Sequence, residues 1–270
     1  MPELPEVETV RAGLASVLLR RRIEALTVLR PMLRFRIPSA ITELVGERIE
    51  AIDRRAKYLL WHTTGASVLS HLGMTGTWQL VDAKREQQTH DHLRLTTDDG
   101  TTLVYNDPRK FGFIELFDRE LGAPRLEGLG PEPLDASVFN ADYLAGVLHR
   151  RNAPIKSLLM DQAVVVGVGN IYAAEALFRA GIHPKRKAAS VTKPRLAKLV
   201  EKVRDVLQEA IAAGGSTIDD FRKTNGQSGY FQHTFSVYAR EGQPCLVCKR
   251  KLKLAKIGGR SSVYCTHCQK

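Results

Sequence analysis

The four cysteines constrain this chain more than any other feature. Cys245, Cys248, Cys265 and Cys268 form a C-x2-C-x16-C-x2-C pattern, and all lie in the last 35 of 270 residues. A two-residue gap lets a tight turn aim both sulfurs at one centre, and two such knuckles make a tetrahedral thiolate site for zinc. A disulfide framework is the competing reading, disfavoured because nothing in the sequence suggests export. A redox pair fits two CxxC units at this spacing less well than a zinc ribbon does. So short a segment cannot bury enough apolar surface alone, so the metal would supply most of its folding energy. Between the knuckles lie Lys249, Arg250, Lys251, Lys253, Lys256 and Arg260, with Gly258–Gly259 where a hairpin should turn. The pattern predicts a basic β-hairpin finger pressed on phosphates.

Charge is distributed to match. The chain has 40 Lys+Arg against 29 Asp+Glu, a net charge of +11. Residues 1–130 are balanced, with 18 of each sign, whereas residues 236–270 hold eight basic residues and one acidic residue. A concentrated basic end points to a polyanion, nucleic acid before membrane. Apolar runs such as Ala163–Val168 fall far short of a membrane span, and the acidic, interrupted start MPELPEVETV is unlike a secretory signal. The expected location is therefore cytoplasmic.

The pattern along the chain predicts an α+β, multidomain fold in three parts. In residues 1–130 one amphipathic helix, with Val7, Val10, Leu14, Val17 and Leu18 on its stripe, precedes short strands at 58–61, 67–72, 77–81, 92–97, 101–105 and 111–117. That spacing indicates a sandwich or barrel. Residues 131–235 read as helical. Asn140 caps one helix and Asn170 opens another that stops at Gly181. Thr192 starts the longest, whose apolar residues from Leu196 to Ile211 recur at i, i+3, i+4. Residues 236–270 are the finger. No G-x-G-x-x-G sits in a βαβ unit and no P-loop is present, which argues against nicotinamide and nucleoside-triphosphate chemistry.

Two places carry candidate chemistry. Removal of the initiator Met would leave Pro2 as a secondary amine able to attack an electrophilic carbon and form a cationic Schiff base. A helix N-terminus would disfavour its protonated form, and Glu3 and Glu6 are placed to move protons beside it. The turn GVGN before Asn170 leaves backbone N–H groups at a positive helix end, where a phosphate oxygen can bind. His90 and His92 alternate onto one strand face, but two ligands without a third make a poor metal site.

The segments PELPEVETV, RRAKYLL (54–60), HLGMTG (71–76), HDH (90–92), DPRKFG (107–112), LGPEPL (129–134), the stretch 159–184, GYF (229–231) and the four-cysteine finger together resemble the formamidopyrimidine-DNA glycosylase family, end to end and in order. The resemblance implies a helix–two-turn–helix domain between sandwich and finger. It implies a bifunctional DNA glycosylase and abasic-site lyase acting on duplex DNA that contains 8-oxoguanine or ring-opened purines. Pro2 would attack C1′, Glu3 would shuttle protons, Lys57 would assist strand elimination, and Arg260 would serve the second elimination. An extruded nucleotide leaves a hole, and Met74, Arg109 and Phe111 match the wedge that fills it. His90, Arg109, Arg151 and Asn170 match DNA contacts, and His71 and Lys156 are expected in a phosphate clamp. Residues 216–231 resemble a loop that closes over the extruded base. One structural zinc ion, damaged duplex DNA as partner, no membrane and a monomer complete the expectation. Two readings compete: a non-catalytic zinc-ribbon DNA-binding protein, and a pyrimidine-lesion glycosylase like endonuclease VIII.

Overall fold

Helix α1, Leu4–Leu18, begins where Glu3 adopts an extended N-cap conformation and the Glu6 carboxylate accepts the Glu3 N–H at 2.8 Å. The E-x-x-E spacing thus closes one arm of a capping box, and Pro5 needs no donor in the first turn. The stripe Val7, Val10, Leu14 and Leu18 is fully buried. The computed structural model describes residues 1–216, 224 and 229–270. They fall into two units, residues 1–127 with 213–230, and residues 128–212 with 231–270.

The first unit is a sandwich of two antiparallel four-stranded sheets. Its strands are β1 (Ile23–Val28), β2 (Ile49–Arg55), β3 (Tyr58–Thr63), β4 (Ser67–His71), β5 (Thr77–Val81), β6 (Asp91–Thr97), β7 (Thr102–Asn106) and β8 (Phe113–Phe117). One sheet has the order β1-β6-β7-β5 and the other β2-β3-β4-β8. Trp61 on β3 and Trp78 on β5 meet at 4.8 Å between ring centroids, joining the inner faces, and α1 adds its stripe to the same core. Six of these strands match the sequence reading closely. β1 and β2 were not expected. Both carry a bulge, at Ile23/Ala25 and Ile49/Ala51, so their buried residues recur every third position (Ile23 and Leu26; Ile49 and Ile52) instead of every second.

The second unit holds helices α2 (Ala141–Leu148), α3 (Ile155–Leu159), α4 (Asn170–Ala180) and α5 (Lys193–Ala212), then the hairpin β9 (Lys253–Ile257) and β10 (Arg260–Tyr264). The expected caps are present: Asn140 Oδ1 accepts the Tyr143 N–H, and Gly181 stops α4 at φ +70°. Gly258 and Gly259 turn the hairpin with φ of +55° and +75°, a pair of left-handed conformations that suits a two-residue loop. The finger is not an isolated body. Leu252, Val263, Cys245 and Cys265 share one apolar cluster with Ala174 and Phe178 of α4. Of the segment read as a closing loop, residues 217–223 and 225–228 lie outside the described residues.

Candidate functional site

Pro2 and Glu3 sit at the N-terminal end of α1, both buried, Glu3 with 3% of its surface exposed. Lys57 lies in the two-residue turn between β2 and β3, beside Ala56, whose φ of +55° is left-handed. A chain of contacts ties this turn to α1. Arg54 Nε donates to Glu8 Oε2 at 3.0 Å, and Arg54 Nη1 donates to the Ala56 carbonyl at 3.0 Å. Glu8 Oε1 also holds Arg11, whose Nη1 reaches the Ile52 carbonyl. These contacts brace the turn that carries Lys57 against α1, the helix that Pro2 and Glu3 immediately precede. Sequence reasoning singled out neither Glu8 nor Arg54, since both read as ordinary surface charges. Glu6 is likewise engaged: besides the Glu3 N–H, it accepts the Ser216 N–H at 2.8 Å and Oγ–H at 2.9 Å. It acts as a brace, not a free proton carrier.

Met74, Arg109 and Phe111 sit on two loops of this unit, 72–76 after β4 and 107–112 after β7. All three are exposed, Met74 at 38% and Phe111 at 43%, although large apolar side chains ordinarily seek burial. The Arg109 guanidinium lies 4.8 Å from the Phe111 ring centroid. Gly73, at φ +60°, lets the loops touch. A Cβ there would stand 2.4 Å from the carbonyl carbon of Phe111 and from the nitrogen of Gly112.

His71 stacks on Phe113 at 5.2 Å, and its Nδ1 accepts the Gly73 N–H at 3.0 Å. Burial first, then the charges of Lys57, Arg34 and Arg125, lower its pKa to about 4. The ring is therefore neutral at pH 7 with its proton on Nε2, a donor suited to a phosphate oxygen. His90 is half-buried, its carbonyl accepting the Asp107 N–H at 3.0 Å. His92 cannot join it in a metal site: its Nδ1 and Nε2 face the Arg30 and Asp107 carbonyls, each at 3.1 Å. Sequence reasoning also missed the exposed loop carrying Arg30, Arg34, Phe35 and Arg36, although its basic–aromatic alternation was readable. The Arg34 N–H donates to the Gly112 carbonyl at 3.1 Å, fixing this loop beside the Phe111 loop.

In the second unit, Asn170 is the first residue of α4. Lys156 Nζ donates to Asn170 Oδ1 at 2.7 Å, to Ser262 Oγ at 2.6 Å and to the Ser261 carbonyl at 3.3 Å. Lysine only donates, so the asparagine must present oxygen to it and keep its amide hydrogens for another acceptor. Lys156 is 1% exposed. The ammonium is a buried strut that aims Asn170 and ties α3 to β10. The same strut fixes the backbone next to Arg260, which is exposed at the start of β10. Gln162 braces the glycine turn before Asn170, donating to the Val168 carbonyl at 3.1 Å and accepting the Gly167 N–H at 2.8 Å. Arg151 is exposed after α2. Glu175, fully buried on α4, accepts the N–H groups of Ser236, Val237 and Tyr238 at 2.8–2.9 Å and so anchors the approach to the finger.

The four cysteine sulfurs lie within 4.8 Å of one another, the only group of three or more metal-ligating side chains among the described residues. Cys248 and Cys265 are 3.4 Å apart and Cys245 and Cys268 3.9 Å, which excludes disulfides. Zinc–sulfur bonds of about 2.3 Å in a tetrahedron put sulfurs about 3.8 Å apart, so the donor set fits the ion. Burial, followed by hydrogen bonds among the thiols, pushes the Cys268 thiol up to about 12. Four sulfurs this close become thiolates together only around a cation.

Comparison with known proteins gives three consecutive family matches. Residues 1–114 match the formamidopyrimidine-DNA glycosylase N-terminal domain, residues 129–222 the formamidopyrimidine-DNA glycosylase H2TH domain, and residues 242–270 the zinc finger found in FPG and IleRS. The last encloses all four cysteines, which form one structural zinc site. A formamidopyrimidine-DNA glycosylase of Stenotrophomonas maltophilia (strain K279a) is 49% identical over 271 residues, covering 100% of both chains. That of Acinetobacter baylyi is 46% identical, covering 100% of this chain and 98% of the relative. A Lactococcus lactis Fpg variant, solved with DNA containing Fapy-dG, matches at a TM-score of 0.92 with 32% identity over 100% of both chains. The same bacterium's wild-type enzyme, solved with DNA containing an oxidised pyrimidine, matches at 0.91, also with 32% identity and 100% of both chains covered.

Proposed function

Given that the chain belongs to the formamidopyrimidine-DNA glycosylase family, we propose that it excises oxidised purines, 8-oxoguanine and formamidopyrimidines, from duplex DNA and then cleaves the strand at the resulting abasic site. The observation that carries this reading is the bracing of the Lys57 turn against α1, the helix that directly follows Pro2 and Glu3. With Met1 removed, the Pro2 nitrogen attacks C1′ of the damaged nucleoside and the base leaves with the bonding electrons. Ring opening of the sugar gives an iminium, with Glu3 moving protons at the sugar oxygen. The iminium acidifies the C2′ hydrogen, so β-elimination expels the 3′ phosphate. A further proton loss expels the 5′ phosphate and leaves a one-nucleoside gap. Lys57 assists the first elimination and Arg260 the second.

Extrusion of the nucleotide costs a few kcal/mol of unstacking. Met74, Arg109 and Phe111 fill the space left behind, and Arg109 hydrogen-bonds the orphaned base. Asn170, His71, His90, Arg151 and Arg260 hold the backbone, with Lys156 acting through Asn170. The zinc keeps the finger folded and takes no part in the bond changes. The protein works as a cytoplasmic monomer on chromosomal DNA. No described helix is long and apolar enough to cross a membrane.

Borohydride trapping on an 8-oxoguanine duplex tests the mechanism. A covalent protein–DNA adduct is expected, and Pro2→Gly should abolish it. An undiminished adduct from Pro2→Gly would sink the proposal, and absence of any adduct would favour a DNA-binding protein without catalysis. Because a relative was solved with an oxidised pyrimidine, thymine glycol duplex belongs beside 8-oxoguanine in the assay; faster excision of the pyrimidine would reverse the substrate assignment.

A further inference from the structure

Asp107 is fully buried at the head of the loop that carries Arg109 and Phe111, and neither carboxylate oxygen is idle. Oδ1 accepts the Thr75 hydroxyl at 2.5 Å and the Arg109 N–H at 3.3 Å. Oδ2 accepts the Gly112 N–H at 2.8 Å. The Thr75 oxygen in turn accepts the Arg109 N–H at 3.2 Å. One carboxylate therefore binds the residue after Met74, Arg109 itself, and the residue after Phe111. Its backbone extends the same role, the Asp107 N–H donating to the His90 carbonyl at 3.0 Å. A buried carboxylate is stable only when its lone pairs are filled, so these donors are held firmly. The Gly73–Gly112 approach then leaves the two loops no room to slide.

We infer that Asp107 is a positioning residue that joins the Met74 and Arg109–Phe111 loops into one rigid wedge, so that both enter the helix as a unit when the nucleotide is extruded. This rests on the wedge reading of those three residues. Three exposed side chains on independent mobile loops would each lose conformational freedom on insertion; three on a joined pair of loops have lost most of it on folding. Asp107 touches neither sugar nor base. Its effect should appear only where a duplex must be opened.

The test compares 8-oxoguanine paired in a duplex with the same lesion inside a three-base unpaired bubble. Asp107→Asn replaces one acceptor oxygen by an NH2 group, so either the Gly112 N–H or the Thr75–Arg109 pair loses its acceptor. Single-turnover excision from the duplex should fall about tenfold or more, while excision from the bubble stays within about twofold of the parent. A 2-aminopurine beside the lesion should lose the fluorescence rise that reports unstacking. Thr75→Val, which removes only the link to the Met74 loop, should give a smaller defect of the same pattern and guards against misfolding of the first variant. Equal loss on duplex and bubble in both variants, or no loss in either, would overturn the inference. Phe111→Ala separates it from its premise. If that variant shows the bubble-rescued defect and the Asp107 and Thr75 variants do not, the wedge stands and the role of Asp107 falls. If Phe111→Ala is also silent, the wedge reading itself is wrong.

Discussion

At the scale of residues, the chain was most legible where chemistry demands a particular atom. Four thiols at knuckle spacing are read directly, because no other side chain fits that pattern, whereas Glu6 reads as a proton carrier and is instead engaged by the Glu3 and Ser216 N–H groups. The residues that aim these groups were not legible. Glu8, Arg54, Lys156 and Glu175 are ordinary charged residues in sequence, and only their partners 14 to 106 positions away give them a role. His71 yields a prediction of the same grain. Its folded pKa of about 4 lies below the ordinary 6.5, so the unfolded chain binds a proton that the folded ring refuses. Its contribution to stability is complete above pH 6.5 and is lost as pH falls from 6.5 toward 4, by up to about 3 kcal/mol. Both tryptophans, Trp61 and Trp78, lie in the sandwich core and report its unfolding. In urea melts followed by their fluorescence, His71→Gln should lose less stability between pH 7 and 4.5 than the parent does. Parallel pH profiles would show that the ring is not the group responsible.

Elements were legible in proportion to how regular their burial is. The α5 stripe follows the helical period, and the six strands stand out as short apolar runs between turns, β4 and β7 being buried along nearly their whole length, and so these elements were found with close boundaries. β1 and β2 bury every third residue across a bulge, a pattern that belongs to neither period. The finger hairpin was legible from its glycine turn, but its seat was not, because the seat is made by Lys156 on another element. That seat can be tested. Lys156→Met removes the donor shared by Asn170, Ser261 and Ser262. It should destabilise the helical unit by about 1–3 kcal/mol and weaken DNA binding while leaving its salt dependence nearly unchanged. Arg260→Ala should instead flatten the plot of log affinity against log salt by about one. A slope change of about one for Lys156→Met would mean that it touches phosphate directly.

For the whole molecule, the finger that composition and cysteine spacing mark out is seated on the helices that precede it. Composition marks the segment but cannot show that Leu252 and Val263 share a cluster with Phe178. Chelation should therefore do more than unfold residues 236–270. It should also expose the α4 face carrying Ala174 and Phe178 and abolish DNA binding, as read by hydrogen exchange and gel shift. Full DNA affinity after zinc removal would show that the finger is dispensable. The excess of basic residues gives the corresponding physical expectation, a steep fall in affinity with salt that reflects several neutralised phosphates.

The stretch from Ala213 to Tyr230 leaves and returns at nearly the same point. The Tyr230 N–H donates to the Ala213 carbonyl at 3.3 Å, Gly229 packs against the Gly214 and Gly215 carbonyls, Glu6 clasps Ser216, and the Leu80 N–H donates to the Thr224 carbonyl at 2.9 Å. Such a base behaves as a socket. With the two ends pinned by the Tyr230–Ala213 hydrogen bond, the entropic cost of changing the chain length between them grows only with the logarithm of that length. An insertion between Gly215 and Gly229 should therefore cost little stability and leave α1 folded.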